Sequence, residues 1–313
     1  MDVERLVAGV LAGDRRAVAR AISLVEDGRP ELEGLSAGIF ASTGRASTVG
    51  LTGAPGVGKS TLATELVRVE REAGTTVAVL AIDPTSPYTG GALLGDRVRM
   101  QEHATDPGVF IRSMATRGHL GGMALAAPEA VRILDAAGYE QVVVETVGVG
   151  QAEVDVAAAT DTAIVVLAPG MGDAIQMAKA GILEIADVFV VNKADREGAG
   201  DAVRDLRQML HLGPARAWDP PVLQTSALQH EGVAELRDAI AAHREHVSAS
   251  GDLPSIRRAR LLREVEQLAA ERFRTRVAAA LEGDGAVLRD LESRRIDPYR
   301  AAAMLVDETA AAE

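Results

Sequence analysis

Gly53-Ala54-Pro55-Gly56-Val57-Gly58-Lys59-Ser60 follows the apolar, β-rich run Thr48-Val49-Gly50-Leu51-Thr52 and precedes a segment of helical periodicity that ends near Gly74. The pattern is G-x-x-x-x-G-K-[ST] in the strand–loop–helix context that it requires. Lacking side chains, the glycines let the backbone curl its N–H groups around a phosphate, with the positive end of the following helix behind them. Lys59 is then expected to reach the β- and γ-oxygens of a nucleoside triphosphate and Ser60 to offer its hydroxyl to Mg²⁺. Ala54, Pro55, Val57 and Thr61 complete the expected binding set. The competing reading is a glycine-rich turn that ends in Lys-Ser by chance.

Outward from this loop, short β-rich runs alternate with helical segments at the spacing of βαβ units: TVAVLAID, VFIRSM, QVVVETVG, TAIVVLAP, VFVVNKAD and PPVLQTSA. The runs are apolar almost throughout, as expected when helices cover both faces of a mostly parallel sheet. The α/β core is therefore expected over 47–247. Before it, 1–46 reads as a helical extension, with Val3, Leu6, Val7, Val10 and Leu11 and then Val18, Ile22, Leu24 and Val25 at helical spacing. After it, 248–313 reads as a C-terminal helical region whose first helix carries Leu261, Leu262, Val265, Leu268, Ala269 and Phe273.

The 313 residues suffice for one large core with additions. A formal net charge of −12 argues against nucleic-acid or anionic-membrane partners. Cysteine is absent, which excludes disulfides, thiolate metal sites and cysteine nucleophiles. With neither a long apolar run nor a leader pattern in the sequence, a soluble, cytoplasmic protein is expected. Lysine occurs three times, at Lys59, Lys179 and Lys193, and asparagine once, at Asn192; every other basic residue apart from histidine is arginine. Positions that keep a compact ammonium are candidates for chemistry that a planar guanidinium cannot perform.

Asn192-Lys193-Ala194-Asp195 closes the strand-like DVFVV, at the carboxyl end, where open α/β sheets bind ligands. A carboxylate there can accept the N1–H and the exocyclic N–H of guanine, whereas adenine has no N1–H and would leave the charge unpaired. Guanine is therefore the expected base, with Lys193 along its ring and Asn192 tying the loop to the phosphate cradle; the competing reading is a helix cap. Ser226, Ala227 and Leu228, after PPVLQT, are the expected source of a backbone N–H for the guanine oxygen.

Asp83 and Glu145 end β-rich runs at the same edge and are candidate Mg²⁺ holders; capping a helix is the alternative for each. Gly148 is placed to donate its N–H to the γ-phosphate. Between the two acids, the glycine-rich and then basic stretch 88–100 has the character of a switch, with Asp96 a further metal candidate and Arg99 a charge-stabilising arginine; a solvated helix face is the alternative for both. Lys179 is a candidate for contact with the phosphates, a switch acid or a partner surface; an ordinary exposed lysine is the alternative. His243 and His246 read as capping or solvating a helix end. No water-activating base is identifiable, which suggests slow turnover until a partner completes the site.

Taken together, GAPGVGKST, AIDPTSPYTGGALLGDRVRM, VVVETVGVGQAEVDV, GMGDAIQMAKAGILEIADVFVVNKAD and TSAL resemble the methylmalonyl-CoA mutase-associated GTPases of the MeaB/ArgK family, in the SRP/MinD/BioD-like class of P-loop NTPases. The resemblance covers about 5–300. It implies a homodimeric G-protein chaperone that binds and hydrolyses GTP to GDP with Mg²⁺, gates cofactor loading of an adenosylcobalamin-dependent acyl-CoA mutase and protects that enzyme. It also implies switch roles for Asp83, Arg99 and Glu145, a third switch at Asp173 and Lys179, and dimerisation through the C-terminal helices. Ala180 stands where the family often has a second lysine. The rival readings are a nickel metallochaperone GTPase, disfavoured by only six histidines, and a transport-associated ATP-dependent kinase, disfavoured by Asp195.

Overall fold

The structure is a computed structural model and describes residues 2–83, 103, 105–115, 123–146, 159–170, 182–213, 216–282 and 285–310. Seven strands form one sheet: β1 Ser47–Thr52, β2 Val77–Asp83, β3 Val109–Ala115, β4 Gln141–Thr146, β5 Thr162–Leu167, β6 Val188–Asn192 and β7 Val222–Thr225. Their order is β3-β2-β4-β1-β5-β6-β7, and all six neighbouring pairs are parallel. All seven runs read as strands from the sequence are strands. The fold is a P-loop α/β fold with helices on both faces. Chain order runs to one side of β1 and then to the other, so the crevice at its carboxyl edge, between β4 and β5, is where such sheets bind ligands.

Alternation along each strand decides which helix it meets. Val49, Leu51, Val79 and Val143 face α4 (Lys59–Glu72) and α8 (Val233–Ala249), packing on Leu62, Leu66, Leu236 and Ile240. Ala78, Leu80, Val142 and Val144 point the other way, onto Ile22, Leu35, Ile39, Ile133 and Leu134. Those residues belong to α2 (Arg15–Asp27), α3 (Glu31–Ile39) and α5 (Met123–Ala136). Burying each such aliphatic side chain contributes about 1.5–3 kcal/mol. Farther along the sheet, Val165, Phe189 and Val191 pack on Val203 and Leu206 of α7 (Ala199–Leu212); α6 is the short helix Ile182–Ile185.

The N-terminal segment forms α1 (Val3–Leu11), α2 and α3, and its Leu6, Val10 and Ile22 sit in the same core as the sheet. Asp2 and Asp14 cap α1 and α2 by accepting from the backbone N–H of Arg5 and Ala17. The chain divides into two compact units, Met1–Arg260 and Leu261–Glu313, with the break inside α9 (Asp252–Glu282). In the second unit, Val277 and Leu281 of α9 pack with Val287 of α10 (Ala286–Glu292) and with Ala301 and Leu305 of α11 (Pro298–Ala310). Along α9, Leu261, Leu262, Val265, Leu268 and Phe273 are exposed. Among the described residues no helix is long and apolar enough to cross a membrane.

Candidate functional site

The loop 53–58 leaves β1 at the centre of the sheet and turns directly into α4. Two glycines make this possible. Gly53 has φ +139°, and a Cβ there would lie 2.1 Å from the Val166 carbonyl oxygen of β5. Gly58 has φ +98°, and a Cβ there would lie 2.5 Å from Asn192 Nδ2. Both positions demand glycine on conformational and steric grounds. The resulting loop is a concave run of backbone closed against β5 and the end of β6.

Lys59 is buried and turns back over this loop, its Nζ donating to the carbonyls of Gly53 at 2.6 Å and Ala54 at 3.0 Å. The ammonium therefore lies at the mouth of the cradle. Beside it, Ser60 Oγ donates to Glu145 Oε1 at 2.6 Å, joining the start of α4 to the end of β4. Leu51 and Ala81 are the register partners of Glu145, which sets this buried acid between the ends of β1 and β2. Asp83 ends β2 at the same edge, and its side chain lies outside the described residues. Gly148, Asp96, Arg99, Asp173 and Lys179 also lie outside them.

The second half of the site is built on β6. Asn192, its last residue, is buried and works at both ends of its amide. Nδ2 donates to the Val57 carbonyl at 2.9 Å, while Oδ1 accepts from Thr225 Oγ1 at 3.1 Å and from the Ala227 N–H at 3.2 Å. One amide thus fastens the phosphate loop, the end of β7 and the loop that follows it. Lys193, in the left-handed region at φ 59°, extends its Nζ to the Gly56 carbonyl at 2.6 Å. Asp195 is exposed, and its Oδ1 accepts from Ser226 Oγ at 2.7 Å. That hydrogen bond, with the charges of Arg196 and Lys193, holds the Asp195 carboxyl below the usual carboxylate range, so it is ionised at neutral pH.

Residues expected to serve phosphate, metal and base, carried by segments more than 170 positions apart along the chain, meet at one sheet edge. Within the loop after β7, the N–H of Ala227 is committed to Asn192, and Leu228 is 81% exposed. Two features were not read from the sequence. Thr225 and the Val166 carbonyl brace the loops by contacts that have no sequence pattern. His243 does not cap or solvate a helix end: it is buried, with Nδ1 2.9 Å from Thr162 Oγ1, Nε2 3.4 Å from Asp187 Oδ1 and its ring 5.1 Å from that of Trp218. The packing of α8 onto the sheet turns that face inward, which a two-histidine spacing could not reveal.

The sequence model of the family described as "Methylmalonyl Co-A mutase-associated GTPase MeaB" matches residues 18–282. This chain belongs to the MeaB family. It is a GTPase of that family. A protein of Pyrococcus abyssi named as a GTPase is 47% identical over 312 residues, 98% of this chain and 96% of the relative. GTPase ArgK of Escherichia coli is 40% identical over 255 residues, 78% of this chain and 77% of its own length. The mitochondrial methylmalonic aciduria type A homolog of Caenorhabditis elegans is 36% identical over 274 residues, 80% and 68% respectively. Among solved structures, the crystal structure of LAO/AO transport system kinase superposes with a TM-score of 0.72 at 27% identity, covering 98% of this chain and 97% of that one.

Proposed function

We propose that this MeaB-family GTPase binds GTP and GDP with Mg²⁺ at the carboxyl edge of β1 and, as a homodimer in the cytoplasm, acts as a G-protein chaperone of an adenosylcobalamin-dependent acyl-CoA mutase. Methylmalonyl-CoA mutase is the partner favoured by the family description. The observation that carries the nucleotide assignment is Asn192, whose single amide holds the phosphate loop through Val57 and the base loop through Ala227.

The donor set fits the groups it would hold. Backbone N–H groups of the 53–58 loop and the ammonium of Lys59 suit phosphate oxygens, and the ionised Asp195 suits the two guanine donors. Ser60 and Glu145 present hard oxygens side by side, with Asp83 at the same edge, the ligand type that Mg²⁺ prefers. Bound there, the metal supplies a charge that steadies the β- and γ-phosphates. The roles of Asp96, Arg99, Gly148 and Lys179 remain part of the proposal: a metal ligand, a charge-stabilising cation, a γ-phosphate donor and a contact to the phosphates, a switch acid or the mutase.

The deciding experiment passes the purified chain, loaded with a non-hydrolysable GTP analogue or with GDP, over an immobilised mutase with and without adenosylcobalamin. Nucleotide-dependent retention is expected, diminished by Lys179→Ala. Retention identical in all four conditions, or none, removes the chaperone reading while leaving the GTPase in place.

A further inference from the structure

The loop that follows β7 is a closed bracket rather than an open turn. Ser226 and Glu231 pair through both backbone hydrogen bonds, N to O at 3.0 and 3.1 Å. Gly232, at φ +75°, packs so tightly that a Cβ would lie 2.1 Å from the Gln224 carbonyl oxygen. These contacts fix the two ends of the loop to each other and to β7. Two of its anchors belong to the base-recognition site already described, Ser226 on Asp195 and Ala227 on Asn192.

The third anchor reaches elsewhere. His230 Nδ1 lies 2.6 Å from Glu65 Oε2, and Glu65 is a buried residue of α4, the helix whose first turn carries Lys59 and Ser60. The pairing is charge-assisted, the stronger class of hydrogen bond. Burial works to raise the Glu65 pKa, and hydrogen bonds from His230 and Arg68 outweigh it and bring the carboxyl below its usual range. His230 sits in the left-handed region at φ 60°, a conformation that the bracket imposes on it.

We infer that the His230–Glu65 contact is a clasp that ties the base-binding loop to the phosphate-loop helix and so sets how long the protein retains guanine nucleotide. This rests on the nucleotide site proposed above. His230 is a positioning residue in this account: its ring pairs with Glu65 and it acts through Ser226 and Ala227. The base loop and the phosphate helix must separate for a nucleotide gripped by both to leave, and the clasp opposes that separation. Its exposure, 60% for the His230 side chain against 7% for Glu65, leaves it accessible to whatever opens it.

The geometry also makes the clasp removable without breaking the fold. Arg68 Nε donates to the same Glu65 Oε2 at 2.8 Å, and its Nη1 lies 2.6 Å from Glu72 Oε1, so Glu65 keeps a cationic partner when His230 is gone. Glycine accepts a positive φ, so His230→Gly deletes the side chain with no backbone strain; asparagine also tolerates that region and returns a donor near the Nδ1 position.

The test is stopped-flow release of N-methylanthraniloyl-GDP from the full-length chain, chased with excess GDP. His230→Gly is expected to speed release by about fivefold to tenfold, the scale of one partly exposed charge-assisted hydrogen bond, with the association rate and single-turnover GTP hydrolysis unchanged. His230→Asn is expected to restore slow release. Release from His230→Gly within twofold of the parent, or a fast rate that asparagine does not rescue, overturns the clasp while the nucleotide site stands. A parent chain that binds no labelled GDP sinks the site assignment and the clasp with it.

Discussion

Ser60 at the head of α4 and Glu145 at the tail of β4 share a hydrogen bond of 2.6 Å across 85 residues of sequence. The strand order makes this possible: β4 lies beside β1, so the acid one residue before the end of β4 stands next to the loop that leaves β1. A hydroxyl and a carboxylate so placed suit two corners of the proposed Mg²⁺ site. Glu145→Gln keeps the shape and removes the charge. The Mg²⁺ concentration for half-maximal turnover should rise by about tenfold or more, while metal-free GDP affinity changes less than about threefold. Titrating GTPase activity with Mg²⁺ checks this, and an unchanged metal requirement would remove Glu145 from the site.

Asp195 presents an ionised carboxylate already oriented by Ser226. Asp195→Asn exchanges one acceptor for a donor and should weaken GTP binding by roughly 10- to 100-fold, the range for charged hydrogen bonds, while admitting xanthosine triphosphate, whose ring presents a carbonyl at that edge. Calorimetry with GTP, ATP and xanthosine triphosphate reads the outcome. Equal affinity of the parent for GTP and ATP would defeat the guanine assignment.

Gly53 has no room for a methyl group. With φ +139° and a Cβ position 2.1 Å from a backbone carbonyl, Gly53→Ala must push the phosphate loop off β5. A loss of about 2–4 kcal/mol of stability is expected, together with loss of nucleotide binding. Differential scanning fluorimetry with and without GDP would show a lowered Tm and no ligand-induced rise. A variant that retains the parent's GDP response would contradict the tight loop-to-strand packing.

Asp161, buried just before β5, receives Arg257 Nη2 at 2.6 Å and Arg260 Nη1 at 2.7 Å. Burial raises its pKa, yet the two guanidiniums prevail and hold the carboxyl below its ordinary value of 3.8. A carboxyl depressed on folding stabilises the protein above its unfolded-state pKa, and that contribution disappears as pH falls through the folded-state value. Tm should therefore be steady above about pH 4 and fall below it. Asp161→Asn should flatten that fall and cost about 3 kcal/mol at pH 7, because two cations lose their shared partner. Thermal unfolding at pH 7 and pH 3 tests both statements.

Leu262, 53% exposed, and Val265, 62% exposed, lie on α9, among the C-terminal helices through which the family resemblance implies dimerisation. Replacing both with aspartate should convert a dimer to a monomer, read by sedimentation, with folding retained because neither residue is buried. A parent chain that sediments as a monomer would remove the homodimer from the proposal.

The sequence by itself determined the sheet and marked the loops at its carboxyl edge. Seven apolar runs in βαβ spacing became seven parallel strands, because strands covered on both faces leave no polar alternation to confuse the reading. The phosphate loop was legible because its glycines are required locally, and the N-K-x-D stretch because the only asparagine of the chain stands in it. The tie of Asn192 to the phosphate loop, expected from the sequence, is present at Val57. Tertiary structure alone decided the other meetings: Asn192 reaching Ala227, Ser60 reaching Glu145, His230 reaching Glu65 and His243 turning inward beneath α8 all depend on strand order and helix packing. A local pattern records what each residue can do with its neighbours a few positions away. Contacts across 35, 85, 135 and 165 residues arise only when burial of the apolar faces fixes the order of the strands.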